Sequence, residues 1–138
     1  MELLRQEVDR SITIETSEDS TAYPAASRYA LALSRNRDRV TSKQLAMLNA
    51  HRAAPGRIMS EEALTEISKC KRWSVARSQY ALLGRMLGES MLFEPLKSNK
   101  NSPEWIRMVA FEVDSKNGEQ IEWQLRAELA EALDSVDL

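Results

Sequence analysis

Lys69, Lys71 and Arg72 stand together, and Ser74, Arg77, Ser78 and Gln79 follow within two helical turns. All are donor side chains, and donors grouped this tightly suit a polyanion. Ammonium and guanidinium groups neutralise phosphates. An arginine on the first turns of a helix can also grip a guanine edge in bidentate fashion, which makes Arg77 the candidate base reader. Arg57 and Arg52 are flanking candidates. The partner this chemistry predicts is double-stranded DNA.

Other chemistry is thinly supplied. His51 is the one histidine and sits late in a predicted helix, where a protonated imidazole would complement the C-terminal dipole. Cys70 is the one cysteine, so neither an intramolecular disulfide nor a multi-cysteine zinc site is available. No nucleophile elbow surrounds any serine, and neither Gly-rich phosphate-binding motif occurs. Glu112, Asp114, Glu119 and Glu122 gather about a predicted hairpin without a metal-ligand spacing. The expectation is therefore no catalytic site, no cofactor and no metal.

The elements that must hold the donors follow from periodicity and caps. Residues 1–22 read as an N-terminal arm or short helix, and residues 23–138 as one domain. Pro24 suits the first turn of a helix over Ala25–Arg35. Thr41 or Ser42 caps a second helix, which runs to about Ala53 and is stopped by Ala54-Pro55-Gly56. Arg57-Ile58-Met59 is a short strand. Ser60 caps a third helix, with Glu61 and Glu62 in its first turn and Ala63, Leu64 and Ile67 as its apolar stripe. Lys71-Arg72-Trp73 is the tight turn, and Ser74 caps a helix over Val75–Ser90. Val75, Tyr80, Leu82, Leu83, Met86 and Leu87 are its expected core residues. Ile106–Val113 and Gln120–Leu125 read as strands about an Asn117-Gly118 turn, the second with Ile121, Trp123 and Leu125 on one face. Ala127–Leu133 is a closing helix.

That order predicts a mainly α fold with a small antiparallel β-hairpin or sheet (α+β). The core is winged helix-turn-helix-like, with an extra N-terminal helix and a short C-terminal one. The helix-turn-helix covers about 60–90 and the hairpin about 105–126. In such a unit the last helix of the helix-turn-helix enters the major groove. The wing tip carries one lysine, Lys116, against Asp114 and Glu119, so the helix-turn-helix must make the contact.

Charge supports this placement. Net charge is -2 over 138 residues, but it is unevenly spread. Residues 1–27 carry 2 Lys/Arg and 6 Asp/Glu, residues 28–86 carry 12 and 4, and residues 87–138 carry 5 and 11. The middle is therefore at +8 between acidic ends, and local charge is what a nucleic-acid surface needs. No apolar run has the length of a membrane span and the N-terminus lacks a signal-peptide stretch, so a cytoplasmic protein is expected.

Ala81, Gly84 and Gly88 share one face of the predicted Val75–Ser90 helix with Arg77. Each interior glycine costs about 1 kcal/mol relative to alanine. Two on one face imply a close approach, by a neighbouring element or by a partner.

Ala53-Ala54-Pro55-Gly56-Arg57, Leu64, Ser78-Gln79-Tyr80 and Leu83-Gly84-Arg85-Met86-Leu87-Gly88-Glu89 form a pattern. It resembles a group of small bacterial proteins with an "APGR … QY..LGR.L.E" signature. Their Trp-containing strand and short Glu/Leu-rich helix are similar to Trp123–Leu133, and the likeness spans about Leu45–Leu133. The resemblance implies a winged-helix-like domain, some of whose relatives occur with HNH-type nuclease or restriction functions.

Three function classes remain: a non-enzymatic DNA-binding module, a protein-binding adaptor or inhibitor, homodimeric or otherwise, and a metal-dependent hydrolase or nuclease using the hairpin carboxylates.

Overall fold

The computed structural model describes residues 22–97, 102–114 and 121–138. The predicted arm, apart from Ala22, and the Asn-Gly hairpin tip lie outside those residues. The described chain is mainly helical, with a three-stranded antiparallel sheet.

Helix α1 spans Ala26–Arg35 and buries Tyr29, Ala32 and Leu33. Pro24 precedes its N-cap, Ala25, rather than opening the helix. A 3-10 turn, Arg37–Arg39, leads to α2, Ser42–Ala53. Thr41 is the cap, and it closes a capping box. Its hydroxyl accepts from the Gln44 N–H at 3.1 Å, while Gln44 Oε1 accepts from the Thr41 N–H at 2.9 Å. A second 3-10 turn, Pro55–Arg57, holds Gly56 at φ 66°, a conformation glycine takes at no steric cost.

Strand β1, Ile58–Ser60, runs straight into α3, Glu61–Ser68. Ser60 ends the strand and caps the helix, accepting from the Ala63 N–H at 3.0 Å. Helix α4 spans Trp73–Met91. Strands β2, Ala110–Val113, and β3, Glu122–Leu125, complete the sheet, and α5, Ala127–Ser135, closes the chain.

The strand order is β1-β3-β2. Met59 faces Trp123, and Glu112 faces Trp123 from the other side. Inserting β3 between two strands that precede it requires the chain to leave the sheet after β1 and return after α4. The sheet therefore carries α3 and α4 as its long connection.

Three expectations are corrected. Ile106–Val113 is not one strand: Trp105–Met108 forms a 3-10 helix, and the strand begins at Ala110. That helix wedges against α4, and tertiary contact overrides the β propensity of its residues. Val75 is 39% and Leu82 60% exposed, so neither belongs to the core. Ile67 and Ile121 likewise face outward, at 40% and 49% exposure.

The core joins all layers. Tyr29, Leu33, Met47, Leu48, Leu64, Tyr80, Leu83, Leu87, Met108, Leu125 and Leu129 are fully buried or within 1% of it. Each large apolar side chain buried this way contributes about 1.5–3 kcal/mol. Tyr29 adds a polar tie, donating to the Met108 carbonyl at 2.7 Å. Its deep burial pushes the phenol pKa far up.

Candidate nucleic-acid interface

The α3–α4 turn is built by backbone geometry. Lys69 takes the left-handed conformation, φ 61°, that usually falls to glycine after a helix. Its N–H and that of Cys70 satisfy the carbonyls of Glu66 and Thr65. Lys69, Lys71 and Arg72 are all exposed around this turn. Helix α4 starts earlier than its sequence indicates. Arg72 is the N-cap, without a side-chain cap bond, and Ser74 is the second helical residue. Ser74 Oγ instead accepts from Arg72 Nε at 3.1 Å, which orients that guanidinium.

Ser74, Val75, Ser78, Leu82, Arg85 and Glu89 are exposed along α4. Ser78 Oγ donates to the Ser74 carbonyl at 3.0 Å, leaving its lone pairs outward. Leu82 and Arg85 were not among the sequence-predicted contacts. Their helical spacing from Val75 and Ser78 is the signal that places them on this face.

Arg77 is not on it. Its Nη2 lies 3.1 Å from Glu104 Oε2, and its guanidinium carbon 5.9 Å from the Trp123 ring centroid. The predicted base reader is thus tied to the chain's own carboxylate and indole. Gln79 is half-buried, and its carbonyl accepts from Gln44 Nε2 at 3.1 Å. Arg57 is also engaged: Nε donates to the Leu125 carbonyl at 3.0 Å, fastening the second 3-10 turn to β3.

Behind α4 lies a buried polar relay. His51 is fully buried, with Nε2 2.8 Å from the Trp123 carbonyl and Nδ1 3.0 Å from the Tyr80 hydroxyl. A carbonyl only accepts, so Nε2 carries the proton and Nδ1 accepts from Tyr80. Burial pushes the imidazole pKa down to about 4, so the ring is neutral at ordinary pH. This corrects the expected protonated, dipole-facing histidine. Tyr80, an expected core residue, is fully buried too and serves the same relay. Trp123 extends the relay, its indole N–H donating to Glu61 Oε2 at 3.0 Å and its ring lying 5.6 Å from that of Trp73. Helices α2, α3 and α4 are therefore all pinned to β3.

The Gly84/Gly88 face is occupied by the chain itself. A Cβ on Gly84 would fall 2.0 Å from the Trp105 carbonyl oxygen, and one on Gly88 2.5 Å from the Trp105 ring. Ala81, beside them, is half-buried. A partner helix has no seat there.

The chain matches no family model, no curated protein and no solved structure.

Glu119 lies outside the described residues, and Glu112 and Asp114 are exposed. Among the described residues no three His, Cys, Asp or Glu side chains are grouped to hold a metal. A cleft of about 90 Å³ between Arg77, Glu104, Arg107, Phe111 and Trp123 is bridged by the Arg77–Glu104 pair. Cys70 is half-buried, with Sγ 4.0 Å from the Ser68 carbonyl. No helix of the described residues is long and apolar enough to cross a membrane.

Proposed function

We propose that the chain is a winged helix-turn-helix module that binds duplex DNA without catalysis of its own. Helix α4 enters the major groove and the α3–α4 turn rests on the backbone. The observation that carries this is the exposed trio Lys69, Lys71 and Arg72 at the N-terminal end of α4. Supporting it, the order α2-β1-α3-α4-β2-β3 with strands arranged β1-β3-β2 suits a winged helix. Ser74 and Ser78 then face bases, and Val75 and Leu82 supply apolar contact of the kind a thymine methyl accepts. With Arg77 held by Glu104, base readout falls to Ser74 and Ser78, and to Arg85 once it leaves its exposed pair with Glu89, whose Oε2 lies 3.0 Å from Arg85 Nε. A regulatory or targeting role in a bacterial system is the setting we infer.

The test is a duplex titration across salt concentrations. Each phosphate contact contributes about 0.9 to the slope of log K against log salt. Replacing Lys69, Lys71 and Arg72 by alanine should lower that slope by about 2.7. A wild-type protein that binds no duplex at low salt sinks the reading.

A second reading has one observation in its favour. Leu82, at 60% exposure, lies on the same face of α4 as Val75, and an apolar helix face suits a protein partner or a second copy. Light scattering distinguishes it: a concentration-dependent mass that Leu82→Asp abolishes would favour it over DNA.

A further inference from the structure

Residues 36–44 are tied to α4 at two points. At one end Asn36 Nδ2 donates to Ser90 Oγ at 3.3 Å, in the last turn of α4. At the other, Gln44 Nε2 donates to the Gln79 carbonyl at 3.1 Å, in the second turn. The segment therefore runs antiparallel to α4 over the Gln79–Ser90 stretch, roughly 16 Å of helix. It is rich in cations, with Arg37, Arg39 and Lys43 all exposed and Asp38 the one acid among them. Two of the three are held in position. Arg39 Nη1 donates to Asn36 Oδ1 at 3.1 Å. Lys43 Nζ donates to the Ser68 carbonyl at 3.0 Å, which brings α2 against the end of α3, next to Lys69. An ammonium has three N–H donors, so two stay available.

The result is a set of exposed cations around α4: Arg37 and Arg39 just after the Asn36 tie to its last turn, Lys43 just before the Gln44 tie to its second turn, and Lys69, Lys71 and Arg72 at its start. We infer that residues 36–44 form a second phosphate-binding edge, which grips the DNA backbone along one flank of α4. This rests on the DNA-binding reading above. A helix is about 10–12 Å across and the major groove about 12 Å wide, so a helix seated there brings its flanks to the phosphates. A set of cations alongside the helix meets one strand's backbone over a longer track than the α3–α4 turn reaches. The contact carries no base preference, because phosphates do not differ between sequences.

The test compares wild type, Arg37→Ala/Arg39→Ala and Arg37→Lys/Arg39→Lys on one duplex over a salt series. Circular dichroism melts confirm that the variants fold. The alanine pair is expected to lower the slope of log K against log salt by about 1.8 and to weaken binding equally on unrelated duplexes. The lysine pair is expected to keep the slope. An unchanged slope in the alanine pair, with wild-type binding intact, overturns this edge and leaves the helix-turn-helix reading standing. Absence of wild-type duplex binding overturns both. A loss confined to one DNA sequence, or full competition by single-stranded RNA, also overturns the assignment to the duplex backbone.

Discussion

The Tyr80 hydroxyl donates to Nδ1 of His51 across 3.0 Å, with the two rings 7° from parallel and their centroids 5.9 Å apart. Both side chains are fully buried, and this bond joins α2 to α4. A neutral imidazole is the only form that satisfies both ring nitrogens with these partners in their present roles, because the Trp123 carbonyl already takes the Nε2 proton.

That arrangement gives stability a pH dependence of definite sign. The unfolded chain protonates His51 near pH 6.5, whereas in the fold the imidazole pKa is down at about 4. Between those values the unfolded state binds the extra proton, so stability rises with pH there. The contribution is complete above about pH 6.5 and is lost as pH falls towards 4, at a total of about 3 kcal/mol. Urea midpoints measured from pH 7.5 to 4 should fall more steeply for wild type than for His51→Gln. Parallel curves would refute the buried neutral histidine.

Gly84→Ala and Gly88→Ala are both expected to destabilise the fold. Alanine gains about 1 kcal/mol of helix propensity, but the Cβ meets Trp105 at 2.0 Å from Gly84 and 2.5 Å from Gly88. Overpacking of this kind leaves a net loss of about 1–3 kcal/mol. The obstacles differ. At Gly84 it is a backbone carbonyl, while at Gly88 the nearest atom belongs to the indole ring. Adding Trp105→Ala should therefore recover part of the loss at Gly88 and none at Gly84, as read by chemical denaturation in a double-mutant cycle.

Arg77→Ala separates fold from recognition. The ion pair with Glu104 is partly exposed, with side chains 38% and 30% accessible, so its loss should cost no more than about 1 kcal/mol. Because Arg77 faces Glu104 and Trp123, duplex affinity should change less than twofold. A tenfold loss of affinity at unchanged melting temperature would return Arg77 to the reading face.

The caps give a local check on the elements that aim α4. Thr41→Ala removes the capping-box acceptor of α2, and Ser60→Ala removes that of α3. Each should cost about 1 kcal/mol of unfolding free energy, read from the shift in urea midpoint. Thr41→Ser should restore most of the loss, since the hydroxyl is what caps.

Much of the architecture was legible locally. Thr41 and Ser60 mark helix starts because their side chains satisfy N–H groups a few residues away, and Pro55-Gly56 marks a stop for equally local reasons. The alternation of Trp123 and Leu125 identified β3, and the charge of the middle segment identified the turn of exposed cations.

The remainder depended on distant residues. Glu104, which holds Arg77 away from the exposed face of α4, lies 27 positions along the chain. The carbonyl that fixes the His51 tautomer lies 72 positions away. Helical spacing made Val75 and Leu82 expected core residues, but the packed elements leave them 39% and 60% exposed. The same spacing put Gly84 and Gly88 on one face without naming Trp105 as its occupant. The cationic side chains of residues 36–44 became part of one set with the α3–α4 turn only when Asn36 and Gln44 bonded to α4.

The sequence by itself determined which side chains carry charge and where α2 and α3 begin, because both follow from groups within a turn of one another. Tertiary structure decided which of those charges stay free. A guanidinium or an imidazole takes whichever partner the packed helices bring within 3 Å, and only the fold chooses that neighbour.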